Sequence, residues 1–446
     1  MDAARTAALD ALLHVDVEEG YSNLVLDKTL RAYGLRGRDA SLASALFYGV
    51  LERRIPLDWV LRKFSKTPLE KLSPAVLGIL RIALYQILYM DKIPASAAVN
   101  EAVNCAKENK KTAKASGFVN GVLRSVLRSG DPMSLLPGEE DPVLAASVRY
   151  SCPEWILRLW QNTYGAEITQ GLLESLSQHP PVYVRVNTTR TSAQSLCALL
   201  EQSGVRAQAV PWLPDALMLE GTGAIAELPA YQQGLFHVQD LSSQLVCGLL
   251  GAKPGERIID VCAAPGGKSF TIAQRMENRG ELLSFDLYKK KAGLIRQGAQ
   301  RLGLPVIRAG VRDAANPEKP LEPADRVLCD APCSGLGIIR RKPEIRYKPE
   351  ESIRGLPEIQ RGILDRTAEL VRPGGVLLYS TCTLHPAENA ETAAYFLERH
   401  PEFEPLPLKL PEGVARAIAE PENQLTLFPH IHKTDGFFAA LFRRRA

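Results

Sequence analysis

Two cysteines stand in segments suited to covalent chemistry. One lies in Asp330-Ala331-Pro332-Cys333-Ser334-Gly335, the other in Tyr379-Ser380-Thr381-Cys382-Thr383. Each segment follows an apolar run predicted as a strand, residues 326–329 and 376–378. Open α/β sheets hold their ligands at the C-terminal ends of parallel strands. A thiolate there can add to C6 of a cytosine ring. The addition turns C5, a weak nucleophile, into an enamine-like carbon that can attack an activated methyl group, so one hard step becomes two easier ones. Such chemistry needs a thiolate, a group holding N3 and the exocyclic amine, and a base for the C5 proton. Asp330 suits the second role. The spacing leaves both thiols as candidates for attack and leaves the base unassigned. A stacked target base would have to be extruded to reach the site.

A second segment points to a cofactor. Asp260-Val261-Cys262-Ala263-Ala264-Pro265-Gly266-Gly267-Lys268 follows an apolar strand and opens a helix. Small residues let the backbone turn tightly and approach a ligand closely. Free amides at the helix start then face a polar or anionic group. The segment lacks the GxxxxGK[ST] of a phosphate loop. Asp286 ends the next predicted strand, 286 − 266 = 20 residues after Gly266. An acid at that distance can accept hydrogen bonds from the ribose hydroxyls of an adenosine-containing ligand. Asp313 follows the run Val306-Ile307-Arg308 and fits either a place beside the adenine or a helix cap.

The elements that must position these residues are legible in hydrophobic period. From residue 234 onward the pattern is β-α-β-α-β-α-β, over 257–261, 269–276, 282–285, 290–302, 326–329, 358–370 and 375–380, which predicts a doubly wound, mainly parallel sheet. Residues 143–233 mix types and read as a small α+β module, with Val182, Val184 and Val186 on one strand face. Residues 1–130 read as helices, one beginning at Ser73-Pro74 with an N-cap and a first-turn proline. Residues 131–142 contain Pro132, Pro137 and Pro142 and are a linker candidate.

The chain of 446 residues is 46% hydrophobic and 23% charged, a globular balance. No apolar run approaches a membrane span. The first ten residues, with Asp2 and Arg5, do not form a secretory signal, so a cytoplasmic location is expected. The eight cysteines contain no CxxC, which argues against a zinc site or a disulfide framework. No metal is expected, and Cys105, Cys152, Cys197, Cys247 and Cys329 are read as small buried residues. The net charge of +4 permits a nucleic-acid partner without requiring one.

CAAPGGK, DAPCSG and STCT resemble, in order, the cofactor, substrate and nucleophile segments of the RNA cytosine-5 methyltransferase family. Tyr183-Val184-Arg185-Val186-Asn187 and Asp435-Gly436-Phe437-Phe438 are similar to two further family segments. Residues Arg38-Asp39-Ala40-Ser41 through Tyr48-Gly49-Val50-Leu51, and Gly117-Phe118-Val119-Asn120-Gly121-Val122-Leu123-Arg124, resemble the NusB antitermination fold. That fusion resembles the bacterial RsmB (Sun/Fmu) type, which modifies a cytosine of 16S ribosomal RNA. The resemblance implies a multidomain chain: an N-terminal all-α NusB-like bundle (1–130), a small α+β module (143–233) and a C-terminal Rossmann-like class I methyltransferase (234–446). It implies S-adenosyl-L-methionine as cofactor, held by Cys262, Ala263, Ala264, Pro265, Gly266, Gly267, Lys268, Asp286, Asp313 and Asp330. It also implies Cys382 as nucleophile and Cys333 as the residue that assists product release. DNA cytosine-5 enzymes attack with the cysteine of a Pro-Cys pair and lack the later Thr-Cys.

The expected partner is 16S rRNA, bound by a monomer. Arg340, Arg341, Lys342, Arg346 and Lys348, with Tyr347 among them, are expected to touch phosphates beside the extruded base. Arg36, Arg38, Arg53 and Arg54 are further candidates. His385 fits either a role beside the Cys382 thiol or a helix cap. The alternatives to an rRNA enzyme are a tRNA-modifying relative and a non-catalytic RNA-binding assembly factor.

Overall fold

Apolar residues at three- and four-residue spacing build the N-terminal helices Ala3–Glu18, Ser22–Ala32, Gly37–Glu52, Arg54–Phe64, Pro74–Tyr89, Ala95–Glu108 and Ser116–Arg128. The computed structural model describes residues 2–18, 22–138 and 140–446. By its internal contacts the chain divides into two units, Met1–Ser177 with Arg341–Lys348, and Gln178–Arg340 with Pro349–Ala446.

In the first unit, helix Pro74–Tyr89 is apolar nearly all round, so it lies inside the bundle. Ile79, Leu80, Ala83 and Leu84 are buried with Leu9, Leu46, Val50 and Leu123. As expected, Ser73 caps this helix by accepting from Val76 N, and Pro74 occupies its first turn. Arg81 on the same helix is also buried. Burial alone would weaken its charge, but Asp58 accepts from both Nε and Nη2 at 2.7 Å and holds the guanidinium protonated. Asp58→Ala should therefore destabilise the unit by about 3 kcal/mol, because it strands a buried charge. Urea unfolding followed by circular dichroism checks this. Asp58→Ala combined with Arg81→Met should recover most of the loss.

In the linker candidate, Pro132–Leu135 form a short 3-10 helix and Pro142 starts helix Pro142–Tyr150. Trp59 Nε1 donates to Leu135 O at 2.8 Å, which anchors this stretch to the bundle. Helices Pro142–Tyr150 and Glu154–Ser175 group with the first unit.

The expectation of phosphate contacts from residues 340–348 is overturned for Arg340, Arg346 and Tyr347, which are spent on the protein's own carbonyls. Arg346 is 1% exposed and donates to the carbonyls of Glu52 and Leu176. Tyr347 OH donates to Leu51 O, and the Arg54 guanidinium covers the Tyr347 ring at 5.1 Å. The reason is general: the last carbonyls of a helix have no intrahelical donor, and basic side chains satisfy them well. Arg346 and Tyr347 are spent on the ends of helices Gly37–Glu52 and Glu154–Ser175. In the second unit, Arg340 is buried against Thr434 O and lies 3.7 Å from Asp435. Lys348 is exposed, as are Arg36 and Arg38, whereas Arg53 lies over the Tyr89 ring.

The second unit holds two sheets. Strands β1 (Val182–Val186), β2 (Arg206–Val210), β3 (Leu213–Glu220) and β4 (Phe236–Val238) form a sheet in the order β2-β3-β1-β4. Strands β5 (Arg257–Asp260), β6 (Glu281–Asp286), β7 (Ile307–Val311), β8 (Ala324–Asp330), β9 (Val371–Thr381), β10 (Phe403–Pro405), β11 (Gln424–Leu427) and β12 (Phe437–Arg444) form the larger one, in the order β10-β12-β9-β8-β5-β6-β7, with β11 on β12. The expected strands are present and pair in parallel from β7 through β9. The C-terminal β12 adds an antiparallel neighbour to β9. Asn187 joins the two sheets' elements: its Nδ2 donates to Gly234 O and Leu302 O, both at 2.8 Å. No helix among the described residues is long and apolar enough to cross a membrane.

Candidate active site

The order of β5, β6, β8 and β9 places the segments that follow these parallel strands on one edge of the larger sheet. The first follows β5. Gly266 has φ +113°, and a Cβ there would lie 2.4 Å from the Phe270 ring, so this turn accepts glycine alone. Helix Gly267–Arg275 then begins with its amides unpaired within the helix. Beneath the turn, Asp260 is fully buried and accepts from Ser269 Oγ at 2.7 Å, while Ser284 Oγ donates to Ser269 Oγ. Burial pushes the Asp260 carboxyl up to about 7. Ala263 N donates to Phe285 O at 2.7 Å, which fixes the turn to β6. Cys262 packs against the cluster containing Ile259, Val261 and Leu283.

Asp286 ends β6, is nearly buried, and accepts from Tyr288 N at 3.0 Å. Asp313 accepts from Ala315 N and Asn316 N, the turn-capping geometry that was its alternative reading. Leu287 and Tyr288 beside Asp286, and Val311 at the end of β7, are large apolar side chains left half exposed. They give this edge an apolar rim suited to a flat ring.

The thiols come from adjacent strands. In the parallel pair β8–β9, Asp330 stands opposite Ser380, and Cys333 and Cys382 follow just beyond. Their Sγ atoms are 3.2 Å apart. The hydrogen bond with Cys382, then burial, pushes the Cys333 thiol well above its ordinary range. Asp330 accepts from Lys268 Nζ at 2.6 Å and from Ser380 Oγ at 2.8 Å. Burial opposes the Lys268 charge, but Asp330 more than offsets it. Lys268 Nζ also lies 5.0 Å from the centre of the Phe437 ring.

A backbone junction supports Cys382. Gly337 N donates to Cys382 O at 3.0 Å, and Gly436 N donates to Gly337 O at 2.9 Å. A Cβ on Gly337 would fall 2.0 Å from Gly436 O. The C-terminal Asp435–Phe438 segment is thereby tied to the Cys382 segment through two glycines.

Of the expected site residues, Lys268 pairs with Asp330 and Cys333 meets Cys382, and the β8–β9 register sets the two pairs at the same strand ends. Ala263 and Gly266 shape the turn, and Asp286 ends the next strand. His385 takes the capping alternative: its Nδ1 accepts from Ala387 N. Cys105, Cys152, Cys247 and Cys329 are buried free thiols, while Cys197 is only partly covered. Sequence reasoning missed Ser380, Gln360 and Glu388. Ser380 was legible as the register partner of Asp330 once β8 and β9 were paired; the other two carry no local signal.

A family model described as 16S rRNA methyltransferase RsmB/F matches residues 247–443. The chain is 40% identical over 451 residues to a probable ribosomal RNA small subunit methyltransferase B of Bacillus subtilis, covering 99% of both chains. The chain belongs to the RsmB/F methyltransferase family. Its RsmB/F-type architecture extends through the other units. A NusB family model matches residues 2–128, and an RsmF/B-like ferredoxin-like domain matches 152–226. A probable ribosomal RNA small subunit methyltransferase B of Synechocystis is 35% identical with 100% of both chains covered. Among solved structures, the crystal structure of PH0851 matches with a TM-score of 0.87 at 26% identity, covering 100% of this chain and 99% of that one. A methyltransferase homolog protein from Pyrococcus horikoshii matches with a TM-score of 0.60 at 29% identity, covering 68% of this chain and 99% of that one. In this RsmB/F methyltransferase, then, the all-helical NusB-like bundle, the small module and the Rossmann-like fold are all present, and the paired thiols lie just beyond the C-terminal ends of two parallel strands of the last.

Proposed function

We propose that this protein transfers a methyl group from S-adenosyl-L-methionine to C5 of a cytosine in 16S rRNA, with Cys382 as the attacking thiolate. The observation that carries the reading is the cluster itself: two thiols 3.2 Å apart beside a carboxylate held by Lys268 and Ser380. One thiol suffices for a packed core, and none is needed for simple RNA binding. Two thiols in contact, next to a hydrogen-bonding carboxylate, fit addition to a pyrimidine followed by assisted elimination.

The residues after β5 fit the cofactor. The tight turn at Gly266 and the open amides of helix Gly267–Arg275 suit a carboxylate, and Asp286 suits ribose hydroxyls. When bound, S-adenosyl-L-methionine supplies an electrophilic methyl group. The chain's own residues do the rest. Asp330 accepts from the cytosine exocyclic amine and, with Lys268, orients the ring. Cys382 forms a bond from Sγ to C6, and the C5=C6 electron pair becomes nucleophilic at C5. After C5 is methylated, loss of the C5 proton re-forms C5=C6 and the C6–S electrons leave on Cys382. Cys333 lies against that departing sulfur. Asp313, Cys262, Ala264, Pro265 and Gly267 remain as lining for the cofactor in this reading.

The test is methyl incorporation from labelled S-adenosyl-L-methionine into unmodified 16S rRNA, with the product mapped by nuclease digestion and mass spectrometry. Label in 5-methylcytosine of 16S rRNA is the expected result. Label confined to tRNA, or RNA binding with no label, would overturn the assignment.

A further inference from the structure

Glu388 is 1% exposed, yet the chemistry above gives it no task. It follows β9 in the short turn Pro386–Glu388. Its Oε2 accepts from Ser334 N at 2.9 Å and from Gln360 Nε2 at 2.8 Å. Gln360 Nε2 also donates to Pro332 O at 2.9 Å. The peptide groups on both sides of Cys333 are thus held by one buried carboxylate and one buried amide. Tyr379 OH donates to Glu388 O at 2.5 Å, and Ser334 Oγ meets Thr383 Oγ1 at 2.7 Å, so the clamp is tied to β9 and to the residues just after it, on both sides of Cys382. Among the described residues, Glu388 Oε1 has no hydrogen-bond partner.

A buried carboxylate is a costly way to hold a turn. An uncharged side chain of similar length could accept from Ser334 N without the desolvation of a charge. Its place in the clamp points to a task at the segment it holds. That segment carries the Cys333 thiol, which the Cys382 hydrogen bond and burial push well above its ordinary range.

We infer that Glu388 is a positioning residue for product release, holding Cys333 as a correctly aimed thiol against the sulfur of Cys382. The inference rests on the proposed cytosine-C5 reading. In release, the C5 proton passes to water and its electron pair re-forms C5=C6. The C6–S electrons depart on Cys382, and the Cys333 S–H donates to that sulfur as the bond breaks. A displaced or ionised Cys333 cannot do so, and the adduct persists.

The experiment follows one turnover and then the steady state with 16S rRNA, reading the covalent protein–RNA adduct on denaturing gels. Cys333→Ala is the reference and should trap the adduct. Glu388→Ala should keep the first methyl transfer, accumulate adduct and lower steady-state turnover by about 10²-fold, the low end of an acid–base contribution. Glu388→Gln, which retains an acceptor for Ser334 N, should release more adduct than Glu388→Ala. If Glu388→Ala does not fold, Gln360→Met carries the same expectation, because it removes the other half of the clamp. Adduct trapped by Cys333→Ala but not by a folded Glu388→Ala or Gln360→Met would overturn the role of Glu388. No adduct with Cys333→Ala would instead sink the reading on which it rests.

Discussion

Cys382→Ala is expected to abolish methyl transfer while leaving cofactor affinity within about threefold, a change of ~0.7 kcal/mol. Loss of turnover should reach about 10⁴-fold or more, on the order of 5 kcal/mol in the barrier, because the sulfur proposed to form the C6–S bond is gone. The Cys382 side chain lies at the end of β9, whereas the turn proposed to hold the cofactor follows β5 and its residues are fixed by Phe285 and Phe270. The substitution removes one sulfur from a partly covered position and leaves the Gly337–Cys382 backbone bond in place. Calorimetric titration with S-adenosyl-L-methionine and single-turnover methylation separate the two effects. Full turnover in Cys382→Ala would end the assignment of the nucleophile.

Cys333→Ala should give the opposite phenotype. The first methyl group is transferred, but release stalls and a covalent protein–RNA adduct accumulates. Steady-state turnover should fall by about 10²-fold or more, the scale of losing a group that aids departure of a leaving atom. The physical reason is the 3.2 Å contact between the sulfurs, which puts the Cys333 thiol within hydrogen-bonding reach of the proposed leaving sulfur. Mass spectrometry of the adduct after nuclease digestion identifies the attached residue. Attachment through Cys333 in a Cys382→Ala protein, with none in Cys333→Ala, would exchange the two roles.

Both results would bear on residues whose importance was visible in the chain before any fold was known. The Pro-Cys and Thr-Cys segments each stood at the end of an apolar run, and the small residues from Ala263 to Gly267 announced a tight turn opening a helix. Strand and helix types in the catalytic sheet were also legible, because hydrophobic period depends only on local geometry and on which face is covered. β5 through β9 appear within a few residues of their expected bounds, apart from the early start of β9 at Val371.

What the sequence by itself determined about this protein is therefore its set of elements and the chemistry its residue types permit. Which groups meet was decided by tertiary structure. The parallel register of β8 against β9 puts Asp330 beside Ser380 and brings Cys333 to Cys382, residues 49 apart in the chain. Arg346 and Tyr347 looked like an RNA-facing basic loop, because charge composition carries no record of burial. Only the folded bundle supplies the helix-end carbonyls that Arg346 and Tyr347 satisfy. Glu388 shows the same principle in the proposed active site. Nothing in its neighbourhood in sequence marks it, since its partners are a backbone amide 54 residues before it and a glutamine 28 residues before it. Hydrophobic period is a property of neighbours along the chain, whereas a hydrogen-bond partner across a sheet edge is a property of register, and register is set only when the whole sheet closes.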